Sequence, residues 1–317
     1  MTEQLVLRAL QAILIIALIG MAILYTVSMR RNKINPFRKF VPGFLIGFIT
    51  DFGDTLGIGS FATTTALFKG TKWLDDDRKL PGTMNAAHAI PVFVEALFFL
   101  SAVKIEVTTL VPMTLAAITG AAFGTRITAN WPVRKMQRGL SIGLALAAIA
   151  MLIKLIANPG HADSMAVHGL HGWLLVLGLV VNFTLGVLMT IGLGNYTPEL
   201  IFFSLVGVNP LVAFPVMMMD AAMIMMTSAI GFVRTGRIEW RGFTGIIVGG
   251  VLGVIVAATV VTGINITVLS YFIVALAAYT AFNCTAIHAS QNRLILLIQI
   301  TNSLSSVLTK YNQHTAF

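Results

Sequence analysis

The sequence predicts an all-α polytopic membrane protein: an N-terminal helix followed by two inverted repeats, each a broken, re-entrant helical hairpin and three transmembrane helices. Three observations predict it. Hydrophobic residues make up 57% of the 317 and charged residues 10%, with a mean hydropathy of +0.88, too few charges to cover a soluble domain. Two Gly-rich interruptions of apolar sequence match each other, with Gly57 lying over Gly192. Lys and Arg collect in alternate loops.

The first element is the apolar run from Ala9 to Ser28, followed by "MRRNKINPFRK" and not by a small-residue cleavage site. It reads as a retained helix with its N-terminus outside and Arg30, Arg31 and Lys33 in the cytoplasm. Residues 1–40 form this helix and its basic loop. Spans of about the ~20 residues that a bilayer needs follow at 83–103, 109–129, 139–156, 211–233, 243–261 and 267–285. Two further regions, 41–68 and 172–206, are apolar but interrupted, at "DFGDTLGIGS" and at "TIGLGNYTPE", where glycines and Pro198 stop a continuous helix.

These interruptions align. "GIGSFATTTALF" (57–68) lies over "GLGNYTPELIFF" (192–203), "VKIEV" (103–107) over "GRIEW" (236–240), and Gly120 over Gly253. The chain is therefore divided into repeat one, 41–156, an external linker, 157–171, repeat two, 172–286, and a tail, 287–317. A repeat of this size in a membrane chain is a transporter signature. The tail reads as an amphipathic cytoplasmic helix.

Charge chooses the topology. If 41–68 crossed the membrane once, Lys69, Lys72, Arg78 and Lys79 would be outside, together with Arg134, Lys135 and Arg138. If it enters and returns, the basic loops 30–39, 69–81, 126–138 and 234–241 are all cytoplasmic, and only Lys104 is on the wrong side. A hairpin plus three spans is an odd number of crossings, so the two repeats are inverted and their breaks approach from opposite sides.

Broken backbone is tolerated at membrane depth only where protein or a cavity surrounds it. The helices beginning near Ser60 and near Thr197-Pro198 each leave free N–H groups and a positive dipole end. Two such ends form an anion site without Lys or Arg. Gly57, Gly59, Gly192 and Gly194 bring the backbone to the ligand; Ser60, Thr63, Asn195 and Thr197 supply side-chain donors. The structural alternative is that Ser60, Asn195 and Thr197 cap their helices, with Thr197-Pro198-Glu199 as an ordinary start.

Asp51, Asp54, Glu95 and Asp220 lie in apolar segments, where a carboxylate costs about 2.5–3.5 kcal/mol. Asp220 falls in the span of repeat two that corresponds to the span of His88 in repeat one. Asp51, Asp54, His88 and Asp220 are the coupling or gating candidates, by proton carriage or by cation binding, with structural pairing as the alternative. The outer loop carries His161, Asp163, His168 and His171 without metal-site spacing, so no metal site is assigned. No cofactor is expected, and no nucleotide-binding motif is present.

The breaks "LGIGSF" and "IGLGNY", together with "GRIEW…GIIVGGVLGVIVA", resemble the TauE/SafE sulfite exporter family of membrane permeases over nearly the whole chain after residue 40. The resemblance implies export or exchange of small sulfur-containing anions such as sulfite and short organosulfonates. Only Gly57, Gly59, Gly192 and Gly194 carry over directly; Ser60-Phe61 and Asn195-Tyr196 stand where the family often continues with glycine. The expected function is secondary transport of a small anion by alternating access, with proton coupling, in the cytoplasmic (inner) membrane. The N-terminus is then outside, the C-terminus is cytoplasmic, and a homodimer is an allowed assembly. The alternatives are a cation carrier built on Asp51, Asp54 and Asp220, and a membrane-embedded enzyme, for which the sequence offers no nucleophile–base motif. Partners are the anion and the bilayer, not nucleic acid.

Overall fold

The computed structural model describes residues 3–57, 59–76, 79–127, 149, 153, 169–189, 194–261 and 275. Among them are nine α-helices: α1 Glu3–Arg31, α2 Phe40–Thr55, α3 Ser60–Gly70, α4 Leu80–Ala102, α5 Val107–Ile127, α6 Gly172–Met189, α7 Tyr196–Leu205, α8 Ala213–Arg234 and α9 Phe243–Val261. Six of these (α1, α4, α5, α6, α8 and α9) are long and apolar enough to cross a membrane. By length and composition they are the spans of a multi-pass membrane protein. The expected spans at 139–156 and 267–285, the tail 287–317 and Gly192 lie outside the described residues, apart from Ile149, Ile153 and Ala275.

Both interrupted regions form a long arm and a short arm. At 1.5 Å per residue, α2 is about 24 Å and α3 about 16 Å long; α6 is about 27 Å and α7 about 15 Å. The short arms cannot span a core of ~30 Å. The first hairpin returns to the side it came from. The Lys39 ammonium, before α2, lies 5.1 Å from the ring centre of Trp73, after α3. Arg241, between α8 and α9, pairs with Asp75 at 2.7 Å and donates to the Trp73 carbonyl at 3.2 Å. The second hairpin returns likewise: a Cβ added to Gly178 would meet both Leu170, before α6, and Phe202, near the end of α7.

Among the described residues, the basic loops around Lys39, Lys79 and Arg241 thus gather at one end of the bundle; the loop expected at 126–138 lies outside them beyond Ile127. Arg241 also pairs with Glu239 at 3.1 Å, and Lys79 approaches Glu239 at 3.7 Å. Arg241 lies outside the spans, and its bonds to Glu239 and Asp75 raise its guanidinium further above its ordinary value. At the other end, the Glu106 carboxylate lies 3.0 Å from His171, and the Leu170 N–H donates to the Thr109 hydroxyl at 2.7 Å. α4 runs from the first end to the second, since the Glu239 N–H donates to Thr83 near its start and Ser101 near its finish accepts from Gln11. α1 therefore runs antiparallel to α4, with its N-terminal half at the end away from the basic loops.

The packing repeats across the two halves. α2 packs along α9, α6 along α5, and α4 against α8. The first pair is parallel and tight: a Cβ on Gly245, Gly249 or Gly253 would strike the carbonyl oxygen of Phe40, Phe44 or Phe48. α5 and α6 are also parallel, with Gly120 against the Phe183 carbonyl and Gly186 against that of Ala117. Small residues bring backbones together because lipid offers no hydrophobic drive for helix association. α1 covers one flank, burying Leu14, Met21 and Tyr25 and leaving Ile16, Ile19 and Ile23 exposed; the Tyr25 hydroxyl donates to the Ala86 carbonyl at 2.7 Å.

Candidate functional site

The two breaks meet. The Thr197 hydroxyl at the start of α7 donates to the Gly57 carbonyl in the first break at 3.0 Å. The Tyr196 hydroxyl donates to Glu95 of α4 at 2.9 Å, and the other Glu95 oxygen accepts from Thr55 at the end of α2 at 2.7 Å. Residues 140 apart in sequence are thereby joined.

Local geometry places the groups. Gly57 and Gly59 have φ of 92° and 84°, left-handed values that a side chain would strain. They let the chain leave α2 and enter α3 within four residues. A Cβ at Gly59 or at its counterpart Gly194 would meet nothing within 4 Å, so there is room beside each break. Ser60 and Asn195, the next matched pair, are buried, and Ser60 Oγ and Asn195 Oδ1 have no hydrogen-bond partner. Thr63 turns back to its own helix, donating to the carbonyls of Gly59 and Ser60 at 3.3 and 3.0 Å.

The capping expectation is corrected. Gly59 is the N-cap of α3 and Asn195 that of α7, and neither makes a side-chain cap bond. Thr197 lies inside α7 and is directed across to Gly57. The first N–H of α3, that of Ser60, is instead taken by the Asp54 carboxylate at 2.5 Å. Asn195 donates to Glu199 at 2.8 Å and to the Met217 carbonyl at 3.0 Å.

Behind the breaks lie two polar bridges related by the repeat. In repeat one, His88 Nδ1 faces Asp51 at 2.7 Å and Nε2 faces the Thr64 hydroxyl at 2.9 Å. In repeat two, Asn182 donates to Asp220, and Glu199 faces Asp220 from α7. Asp51 corresponds to Asn182, His88 to Asp220 and Thr64 to Glu199, at offsets of 131, 132 and 135 residues. Each bridge ties the long arm of a hairpin to the following span, with the acidic and neutral partners exchanged. Four of the six side chains, Asp51, His88, Glu199 and Asp220, are buried ionisable groups.

Every described site residue expected from sequence lies in or beside this cluster: Gly57, Gly59, Ser60, Thr63, Gly194, Asn195 and Thr197 at the breaks, and Asp51, Asp54, His88 and Asp220 behind them. Glu95, read only as a costly intramembrane acid, is the link between the repeats. Glu199, Asn182, Thr64 and Tyr196 were not anticipated as site groups. The 135-residue register of the breaks lays Glu199 over Thr64 and would have drawn attention to that pair; Asn182 needs a shift of four residues to fall on Asp51. His161, Asp163 and His168 lie outside the described residues, among which no group of three or more His, Cys, Asp and Glu is arranged to hold a metal.

Thr197→Val is expected to lower stability by about 1 kcal/mol, the worth of one buried hydrogen bond, and to speed amide exchange around residues 56–60. Thr197→Ser should retain both. Thermal unfolding and hydrogen–deuterium exchange of the purified protein measure this; unchanged exchange would mean that the bond does not hold the breaks together.

Neither a curated protein nor a solved structure matches the chain. The family comparison does find a match, and it falls on α1 to α5, which include the first hairpin and its break. Residues 2–151 of the 317, just under half of the chain, match the family model described as Sulfite exporter TauE/SafE.

Proposed function

We propose that the protein is a secondary transporter of a small anion, sulfite or a short organosulfonate, that binds between the two breaks. The observation that carries this reading is the contact of the two breaks, Thr197 with Gly57, beside the buried and unpartnered Ser60 hydroxyl, with space at Gly59 and Gly194. N–H groups and hydroxyl or amide donors at helix starts suit an oxyanion. Gly57, Gly192, Thr63 and Thr197 complete the proposed site, in which Thr197 both holds the first break and offers its hydroxyl when that bond opens.

Inverted repeats, 41–156 and 172–286, are the proposed alternating-access unit. Their inversion is supported by Glu106 and its counterpart Glu239, which lie near opposite ends of α4. Rocking of one repeat against the other would open the cluster to each side in turn. Asp51, Asp54, His88 and Asp220 are proposed to couple the cycle to protons, since buried ionisable groups within spans commonly carry such relays. The chain is assigned to the cytoplasmic membrane, with the basic-loop end and the C-terminus inside and the N-terminus outside.

Flux in proteoliposomes tests the reading. Labelled sulfite or isethionate should move down an imposed proton gradient, and Ser60→Ala with Asn195→Ala should reduce the rate at least about tenfold, the effect of losing roughly 1.4 kcal/mol of binding. The number of buried carboxylates specifically favours a second reading, a cation carrier. If a cation moves and none of the anions does, that second reading replaces the first.

A further inference from the structure

We propose that the Asp54 carboxylate is a built-in competitor of the transported anion for the N-terminus of α3, so that the anion binds there only when Asp54 takes up a proton and releases the Ser60 N–H. This rests on the anion-transporter reading above and gives the acid nearest the break a specific role.

The geometry is that of an anion site already occupied from within. A carboxylate and a sulfonate are both oxyanions, and both accept from the exposed N–H groups of a helix start. At α3 the first of these N–H groups donates to Asp54 Oδ1, an acceptor that holds an N–H more strongly when ionised than when protonated. The occupant is only half satisfied: Asp54 Oδ2 is buried without a partner, as is the adjacent Ser60 Oγ. There is room for exchange, because the Gly59 position opens onto space.

Two anions cannot share this N–H in a buried setting, since like charges a hydrogen-bond length apart repel far more strongly there than in water. The exchange balances if one proton arrives with one anion. The proton adds to an Asp54 oxygen from water on the side to which the site is open. The Ser60 N–H bond to Oδ1 breaks, and a Ser60 N–H bond to the incoming anion forms. The net charge of the site is unchanged by their joint arrival.

The other ionisable groups that face Asp54 are Asp51 on its own helix, His88 and Glu95 from α4, and Tyr196 from α7. His88 is engaged by Asp51 and Thr64, and Glu95 by Thr55 and Tyr196. Of these acids, Asp54 is the one bonded to the main chain of the break. The corresponding stretch of α6 ends in "GVLM" (186–189) and carries no carboxylate. The competition is therefore built into one break and not the other, which would give the transporter an asymmetric, proton-linked half-site.

Anion binding to the full-length protein in lipid nanodiscs tests this, with methanesulfonate as the probe because its charge is constant near neutral pH. By reciprocity, wild-type protein held above the pH at which Asp54 ionises, where all the uptake and infrared measurements are made, should take up close to one proton per anion. Its Kd should weaken towards about tenfold per pH unit, the slope of one coupled proton, above the pH at which Asp54 ionises. Asp54→Asn should bind methanesulfonate with little pH dependence. Infrared difference spectra of the wild type should gain a protonated-carboxyl band on anion addition, a readout that does not need the variant to fold. Wild-type binding without proton uptake or without that band overturns the proposal, and so does Asp54→Asn with the wild-type slope; in each case the anion site itself still stands. Failure of the wild type to bind methanesulfonate, isethionate or sulfite at any pH overturns the anion reading and this inference together.

Discussion

Gly249→Val is expected to remove most of the folded protein. Gly249 sits in the seam between α2 and α9, where an added Cβ would run into the Phe44 carbonyl oxygen and carbon. The same close approach recurs one turn away on either side, at Gly245 against Phe40 and at Gly253 against Phe48, and from the facing helix at Gly43 and Gly47. No side chain can move aside to make room, because the obstacle is main chain. The helices must separate, and the loss of backbone-to-backbone packing then spreads along the seam. Overpacking in a core costs about 1–3 kcal/mol, and contact with rigid backbone places this variant at or above the upper end. Asp51 makes the seam matter to the site, since its free oxygen and Pro91 fill the space at Gly250. Gly20→Ala is the matched control. Gly20 lies in α1 with nothing within 4 Å, so alanine should be neutral or stabilising by up to about 1 kcal/mol. Thermal unfolding and size-exclusion profiles in detergent distinguish the two; a Gly249→Val protein with wild-type unfolding would show that the helices are not held at this distance.

The second large effect is expected at the Asp51–His88 bridge. His88→Asp would set two carboxyl groups against each other in a site with no exposure to water, and should cost about 3–5 kcal/mol, the range for breaking a buried pair. Asp51→Asn together with His88→Asp rebuilds in repeat one the pair that repeat two already uses, Asn182 with Asp220. The double variant should recover about half or more of the lost stability, a coupling energy well above the ~0.5 kcal/mol scatter of independent sites. Unfolding midpoints of wild type, both single variants and the double variant complete the cycle. Additive losses would mean that the two bridges are not equivalent. The same double variant probes function, because it removes the imidazole: if His88 hands on protons, anion flux should lose its response to a pH gradient even where stability is restored.

Much of this was legible in the sequence. Helix positions followed from apolar runs, and the start of α9 at Phe243 was placed to the residue because Arg241 and Gly242 end the preceding loop. The hairpin of α2 and α3 followed from charge: Lys39 and Lys69 had to share a side, and in the structure Lys39 lies against Trp73, just beyond the end of α3. The breaks were found because glycine pairs and hydroxyl residues are unusual at membrane depth. The destinations of the polar groups were not legible. Ser60 and Thr197 have the residue type and position of ordinary caps, and nothing local says that Thr197 will be directed to a carbonyl 140 residues away. Glu199 looked like a standard first-turn acid, favourable to its own helix dipole, until α8 brought Asp220 against it.

The sequence by itself determined that this is an all-helical, polytopic membrane protein, because insertion in lipid is governed by additive properties of contiguous residues: apolar length, helix-breaking glycine and proline, and the side on which Lys and Arg collect. Only the tertiary structure decided what the polar residues do. That Asp54 takes the first N–H of α3, that Asp51 answers to His88 and Asn182 to Asp220, and that Tyr196 and Glu95 join α4 to α7 are outcomes of tertiary packing. A buried carboxylate takes whichever donor the facing helix presents, and that donor is set by how two glycine-lined seams bring α2, α4, α7 and α8 together.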